Sequence, residues 1–343
     1  MDASKPRVSV VIPNRDGATE RDGLRYLDMV LATLREQTFQ DFDVTVIDNG
    51  STDRSVDYLA RHWPQVRTIA LAENVGFPAA VNRGIESSSG EYIALLNTDL
   101  ELSPAWLQIL VEEFDRDQTL GFATGKIMRH DKRNVLEQAG LDFFTCGRFE
   151  PRGLDEKDAG QYDQRREIAI ATGAAVLYRR DAVERVGGFD GDYFLYCEDA
   201  DICLRMHLAG YRGLYLPQPV AYHVRGGTTG QQSELTRFHI HRNALITLLK
   251  DLPARILWGS MAKILLYQVH LYREARGMGF AGTVRRAWGS FLRAVPSTLR
   301  KRRRALRDRQ LPTADFRTLL RTEYPVPTRF GRRRGQAQLN PPE

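Results

Sequence analysis

Cysteine is scarce: only Cys146, Cys197 and Cys203 occur in 343 residues. No CxxC pair is present, and three thiols cannot build a disulfide framework, so a disulfide-stapled secreted scaffold is excluded and a reducing cytosol is expected. Cys197, Cys203 and His207 follow no common zinc-site spacing. Long hydrophobic runs are missing as well. No stretch approaches ~18 uninterrupted apolar residues, which argues against a spanning helix. The apolar run over 8–12, behind Asp2, Lys5 and Arg7, is only strand-length, so no secretory signal is expected. There is no internal repeat, and no low-complexity segment beyond one arginine-rich run.

What is present is an uneven charge. Apolar residues make up 42% and charged residues 27%, the balance of a soluble globular chain. The net charge of +6 hides an asymmetry. Residues 271–343 hold 18 Lys/Arg and 5 Asp/Glu, a net +13, whereas residues 1–270 carry a net −7. An acidic body with a basic tail implies chemistry in the body and attachment to an anionic surface by the tail.

The first ~130 residues alternate strand and helix patterns. VSVVI (8–12) is apolar and β-branched, and a helical face follows with Leu24, Leu27, Leu31 and Leu34. DVTVID (43–48) reads as the second strand. It runs into NGSTDRS, where Ser51, Thr52 or Asp53 can cap a helix carrying Val56 and Leu59. VRTIAL (66–71) is the third strand, with a Gly/Pro-punctuated helix over 77–89. EYIALL (91–96) is the fourth, and it ends abruptly in Asn97, Thr98 and Asp99. Ser103 then serves as N-cap and Pro104 as first helical residue, with Trp106, Leu107, Leu110, Val111 and Phe114 facing the core.

This order implies an α/β fold with a mostly parallel, Rossmann-like central sheet flanked by helices. In such sheets ligands sit beyond the carboxyl ends of the strands. Pro13-Asn14-Arg15, Asp48-Asn49-Gly50, Asn74 and Asn97-Thr98-Asp99 fall at four such ends and together predict a pocket. Residues 130–167 are polar and weakly periodic, which predicts a variable loop region. IAIATGAAVLYRR (168–180) returns as a strand, and DAVERVGGF as a short helix stopped by Gly187 and Gly188. EDADICLRMHLAG reads as a helix ending at Gly210, PVAYH as strand-like, and helical patterns dominate beyond 235.

The ordered set VSVVIPNRDG, VIDNGSTDRS, ENVGFPAAVNRGI, GEYIALLNTDLEL, ATGAAVLYRRDAVERVGGFD, YCEDADICLRMHLAGY and YHVRGGTT spans residues 7–245. It resembles the family 2 glycosyltransferases of the GT-A (nucleotide-diphospho-sugar transferase) fold, in their rhamnosyltransferase-like branch. Each piece alone is weakly specific; their order is not. The resemblance implies inverting, metal-dependent transfer of a sugar from a pyrimidine nucleotide donor. The donor expected first is dTDP-rhamnose and second a UDP-hexose, with a cell-surface glycan or polyprenyl-linked acceptor. Such an enzyme must hold the donor's base, offset the departing diphosphate charge and take a proton from the acceptor hydroxyl.

Carried over residue by residue, Pro13, Asn14, Asp48 and Ser51 belong to the donor's base and ribose, Asp48 accepting from the pyrimidine N–H. Asp-Asn-Gly-Ser is also good turn chemistry. Asn97, Thr98 and Asp99 stand where the family has Asp-x-Asp, so Asp99 is expected to bind a divalent ion, Mg²⁺ or Mn²⁺, between the donor phosphates. Asn97 departs from that pattern and offers an amide oxygen. His223 matches a position that can complete the metal site. Asn74, Gly76 and Asn82 match a donor-side motif, and Arg225, Gly226, Gly227 and Thr228 look like a loop closing over the diphosphate. Asp199 is the expected base, with Glu198 and Asp201 as second candidates. Asp201 could instead pair with Arg205 one turn on. Three acids in four positions repel, which raises the proton affinity of at least one. Thr172, Gly173 and Asp201 fall on the acceptor side, with Gly173 allowing close approach to the backbone.

RILWGSMAKILLYQVHLYREA (255–275) mixes an apolar face with Lys263, Gln268, His270 and Arg273, and reads as an amphipathic helix. RRAWGSFLRAVPSTLRKRRRALRDR adds Trp288, Phe291 and Leu292 beside basic residues, each worth about 1 kcal/mol near anionic lipid. The expected organisation is a catalytic domain over 1–245, with a nucleotide-sugar half over 1–130 and an acceptor half over 131–245. A helical basic extension over 246–343 would seat it on an anionic membrane surface, peripheral at the cytoplasmic face of the cell membrane. Two other classes compete. A sugar-1-phosphate nucleotidyltransferase shares the alternation, but VVIPNRDGATERDG lacks the glycine density of its phosphate loop. A nucleic-acid binder would use the basic tail, yet no recognised module is present and the strand-end carboxylates repel phosphate without a metal, so no nucleic-acid partner is expected.

Overall fold

Ten strands make the central sheet of the computed structural model, which describes residues 5–21, 23–224, 233–307 and 309–323. In chain order they are β1 (Val8–Asn14), β2 (Phe42–Asn49), β3 (Arg67–Leu71), β4 (Tyr92–Leu96), β5 (Leu100–Leu102), β6 (Leu120–Arg129), β7 (Leu136–Gln138), β8 (Arg166–Glu167), β9 (Ala175–Arg179) and β10 (Arg212–His223). Across the sheet they run β8-β10-β6-β9-β4-β1-β2-β3, with β5 paired to β10 and β7 to β6. β3, β2, β1 and β4 are parallel. Parallel neighbours need crossovers, and α1 (Tyr26–Arg35), α2 (Ser55–His62) and α3 (Phe77–Glu86) supply them. The other half is mixed: β9 lies antiparallel between β4 and β6, and β10 returns parallel to β6.

The core has two layers because alternate side chains of each strand point to opposite faces. Val11, Ile47 and Leu95 pack with Val81 and Ile85 of α3. Val10, Ile12 and Ala94 pack on the other face with Leu27, Leu31 and Leu34 of α1 and with Trp106, Leu107 and Leu110 of α4 (Trp106–Arg116). Burial on both faces is why β4 reads as an unbroken apolar run and β1 is broken only by the buried Ser9. The remaining helices are α5 (Arg180–Val186), α6 (Glu198–Leu208), α7 (Glu234–Asp251), α8 (Ala254–Gly259), α9 (Met261–Gly277), α10 (Ala281–Arg307) and α11 (Thr313–Thr318). α7 packs between α6 and α10, and so ties the C-terminal helices to the sheet domain.

Several boundaries differ from the sequence reading. β6 was not expected, since Gly121, Gly125 and Lys126 break its apolar pattern. Position 125 must be glycine, because a Cβ there would lie 1.6 Å from the Pro219 carbonyl oxygen of β10. Lys126 is buried and neutralised by Asp158 at 2.8 Å and Asp163 at 2.5 Å. The stretch 130–167 contains β7, β8 and an antiparallel hairpin of Leu141–Phe143 with Phe149–Pro151. Leu24 lies in a two-residue strand before α1, and α4 begins at Trp106, whose N–H meets the Ser103 carbonyl. The strand expected over 168–180 is confined to β9, and the amphipathic segment 255–275 is broken at Ser260 between α8 and α9. The boundary expected at 245 falls inside α7, a single helix.

Candidate active site

The strand ends open into one cleft of ≈ 1850 Å³. Pro13, Asn14, Asn74, Gly76, Asn97, Thr98, Asp99, Thr172, Gly173, Glu198, Asp199 and His223 all line it. Asp48, Ser51, Asn82 and Asp201 do not. Arg225, Gly226, Gly227 and Thr228 lie outside the described residues.

On the donor side, Asp48 and Ser51 stand behind Asn14 rather than on the cleft wall. Asn14 Nδ2 donates to Asp48 Oδ1 at 2.8 Å and to Ser51 Oγ at 3.2 Å, while Asp48 Oδ2 accepts the Ser51 N–H at 3.1 Å. This leaves Asn14 Oδ1 buried and without a hydrogen-bond partner, turned toward Gly17, where a Cβ would lie 2.3 Å from it. Asn74 shapes the next loop: its Oδ1 accepts from Asn49 Nδ2 and from the Gly76 N–H, both at 3.0 Å. Gly76 has φ +87°, and a Cβ there would sit 2.7 Å from the Phe194 ring, so only glycine fits. The Phe77 N–H donates to the Phe194 carbonyl at 2.7 Å, which joins this loop to the approach of α6. Asn82, expected at the donor, faces away. Its amide clamps the Phe189 backbone, donating to the carbonyl at 2.8 Å and accepting the N–H at 2.9 Å.

Asp99 and His223 meet because β5 pairs antiparallel with β10 in a register that sets His223 against Leu100. His223 Nε2 lies 3.2 Å from Asp99 Oδ1, while Nδ1 donates to the Glu137 carboxylate at 2.9 Å. Nε2 makes no hydrogen bond and is buried. Burial disfavours the imidazolium, but the two facing carboxylates outweigh it and push the His223 pKa up to about 10. The pair of acids calls for positive charge, supplied here by a proton and equally well by a cation. A carboxylate, an imidazole nitrogen and a carboxylate orienting the second ring nitrogen form a donor set that fits Mn²⁺ or Mg²⁺. Among the described residues no cluster of three or more His, Cys, Asp and Glu side chains could hold a metal by itself.

The acids open α6 from a strained turn. Phe194, Tyr196 and Cys197 all have φ between 61° and 69°, a region that non-glycine residues avoid. Asn243 of α7 holds this turn, its Nδ2 lying 2.8–2.9 Å from the Tyr193, Leu195 and Tyr196 carbonyls. Asp199 Oδ2 accepts the Gly173 N–H at 3.2 Å. Gly173 thus aims the carboxylate; a Cβ there would make only ordinary contacts. Burial raises the Asp199 pKa, and burial together with the Asp199 charge pushes Glu198 up to about 8. Glu198 is 7% exposed and its Oε2 has no partner. Asp201 is not a cleft residue. It is fully buried, ion-paired to Arg205 at 2.5 Å and to Lys250, and these cations overcome the burial penalty to hold its pKa low.

Glu137 and Asn243 escaped the sequence reading. Glu137 sits in a polar stretch without periodicity, and Asn243 in a helix whose polar and apolar faces are poorly separated, so neither carried a local signal.

The Glycosyl transferase family 2 model matches residues 9–187. An N-acetylglucosaminyl-diphospho-decaprenol L-rhamnosyltransferase of Mycobacterium tuberculosis is 29% identical over 238 residues, 62% of this chain and 77% of that protein. The O-antigen biosynthesis protein RfbC of Myxococcus xanthus is 29% identical over 217 residues, 60% of this chain and 16% of that protein. Among solved structures, GalNAc-T7 with UDP, GalNAc and Mn²⁺ superposes with a TM-score of 0.56 at 14% identity, over 73% of this chain and 49% of that one. S. aureus TarS 1-349 in complex with UDP gives 0.52 at 17% identity, over 76% of this chain and 70% of that one. At such identities the likeness is one of fold.

Proposed function

The chain belongs to glycosyl transferase family 2 and has a GT-A fold, and from that premise we propose an inverting, divalent-metal-assisted rhamnosyltransferase. The donor is dTDP-rhamnose, with a UDP-hexose as the alternative, and the acceptor is a cell-surface glycan or a polyprenyl-linked saccharide. One observation carries the reading: Asp99 with His223, and Asp199 with Glu198, line the same cleft. The similarity to a rhamnosyltransferase of a decaprenol-linked acceptor supports both choices. Leu235 and Ile240, apolar residues 50% and 39% exposed on the lining of that cleft, support the acceptor choice alone, since they suit a lipid-bearing substrate.

Pro13 and Asn14 line the base and ribose, with Asp48 and Ser51 fixing the Asn14 amide from behind. Asn74, Gly76, Asn97 and Thr98 border the ribose and diphosphate. Asp99 and His223 would hold the cation, with Glu137 orienting the imidazole. When bound, Mn²⁺ or Mg²⁺ offsets the charge of the departing nucleoside diphosphate. Asp199 takes the proton of the acceptor hydroxyl as that oxygen attacks C1 opposite the diphosphate. The C1–O bond to phosphate breaks as the new bond forms, and the anomeric configuration inverts. Thr172 and Gly173 shape the acceptor side.

The catalytic domain, carried on to the end of α7 at Asp251, is seated by the helical region beyond it on an anionic membrane surface. Trp258 (69% exposed), Leu265 (60%) and Leu266 (59%) form an apolar face on α8 and α9, and Leu292 (66%) adds to it on α10 beside the basic side chains. Among the described residues no helix is long and apolar enough to cross a membrane. The test is a panel of nucleotide sugars with purified protein, a polyprenyl-type acceptor and Mn²⁺. Transfer from dTDP-rhamnose that stops on chelation is expected. Absence of transfer from every donor, together with stabilisation by duplex DNA alone, would overturn the reading.

A further inference from the structure

A second cavity of ≈ 760 Å³ opens between the ends of α5 and α6 and the C-terminal half of α10. Seven basic side chains line it against one carboxylate, Asp190. Asp190 is already spent: Lys250 lies 2.7 Å from one oxygen and Lys301 2.5 Å from the other. These two lysines hold its carboxyl far below the ordinary range despite burial. Arg205, also at the floor, is paired with Asp201. At the rim stand Arg185, Arg304, Arg307 and Arg309, all exposed. Among the described residues no ion pair joins any of these four to a carboxylate; Arg309 donates to Thr313 Oγ1 at 2.8 Å and Arg185 to the Gln310 side-chain oxygen at 2.6 Å. Four guanidiniums without a carboxylate partner among the described residues gather around one concavity, which favours an anion there.

We propose that this pocket binds a phosphate-bearing anion, a phosphate monoester or diphosphate. Guanidinium forks match phosphate oxygens in shape as well as charge. The pocket is separate from the catalytic cleft, since none of its lining residues appears there. It also needs no metal. Two sources offer the same chemistry, a soluble phosphate compound and an anionic lipid headgroup. The position on α10, whose Leu292 and Leu299 are 66% and 41% exposed one heptad apart, gives a lipid source direct access. The floor reaches the catalytic helix as well, because Arg205 and Lys250 both hold Asp201.

The experiment is calorimetric titration of the full chain with inorganic diphosphate in EDTA, which silences the metal-dependent cleft. Asp99→Ala is expected to bind as the unaltered protein does. The double variant Arg304→Glu/Arg307→Glu is expected to bind roughly tenfold or more weakly. Both residues are exposed, so an unchanged Tm verifies the fold. Equal affinity in the double variant overturns the proposal, as does loss of binding in Asp99→Ala. Co-sedimentation with phosphatidylglycerol vesicles, against phosphatidylcholine, separates the sources. Loss of vesicle and diphosphate binding together supports a headgroup ligand, and loss of diphosphate binding alone supports a soluble one. Loss of vesicle binding with diphosphate binding intact reduces the feature to a diffuse basic patch and overturns the pocket.

Discussion

Glu137 accepts the Nδ1–H hydrogen bond of His223 at 2.9 Å, although 86 residues separate them in the chain. That bond fixes the ring orientation and turns Nε2 toward Asp99. Glu137→Gln is therefore expected to weaken Mn²⁺-dependent binding of dTDP roughly 10–100-fold. Calorimetry checks this, and an unchanged affinity would detach Glu137 from the site. Asp99→Ala is expected to abolish the metal dependence itself.

Asp199→Asn keeps the shape of the cleft but removes the proton acceptor. Transfer is expected to fall by roughly 10²–10⁴ with donor affinity nearly unchanged, the scale of losing a general base. Single-turnover rates and donor titration separate the two effects. Undiminished turnover would assign the role to Glu198.

The Glu198 carboxyl is pushed from an ordinary 4.5 to about 8 by burial and by Asp199. The folded protein therefore binds this proton more tightly than the unfolded chain. The associated stability is present below pH 4.5 and is lost as pH rises toward 8. Glu198→Gln stays neutral throughout, so its Tm should gain on the unaltered protein across that window. Parallel Tm-against-pH curves for the two proteins would contradict it.

Asp201→Ala would leave Arg205 buried without a carboxylate partner and Lys250 with Asp190 alone. A cost of about 3–5 kcal/mol is expected, the usual scale for breaking a buried ion pair. Urea unfolding measures it. A loss of activity without a loss of stability would return Asp201 to the acceptor side.

Gly76→Ala sets a Cβ against Phe194 and forces a non-glycine residue to φ +87°. About 1–3 kcal/mol of strain is expected. It should emerge as a displaced 194–197 turn and a lower transfer rate, since that turn delivers Asp199. A variant with normal rate and Tm would show the contact to be slack.

The parallel half of the sheet was legible because buried central strands and their polar ends leave a local signature. The run Tyr92–Leu96 followed by Asn97-Thr98-Asp99 is the clearest example. What stayed hidden depends on partners distant in sequence. Lys126 looks incompatible with a core strand until Asp158 and Asp163 arrive from 32 and 37 residues on. Arg205 was readable as a partner of Asp201 because helical spacing puts it there, but Lys250 comes from another helix. Asn82 matched a motif, and only the fold shows its amide turned toward Phe189.

Asn243 restrains three carbonyls of a turn that non-glycine residues would otherwise leave, and it does so from α7. The carboxylates proposed for catalysis are thus restrained from beyond the sheet, by a helix whose Leu235 and Ile240 line the same cleft. Exchanging that helix between related enzymes would transplant the restraint with it. Acceptor preference and the set of the proton-abstracting acid would then be inherited as one cassette.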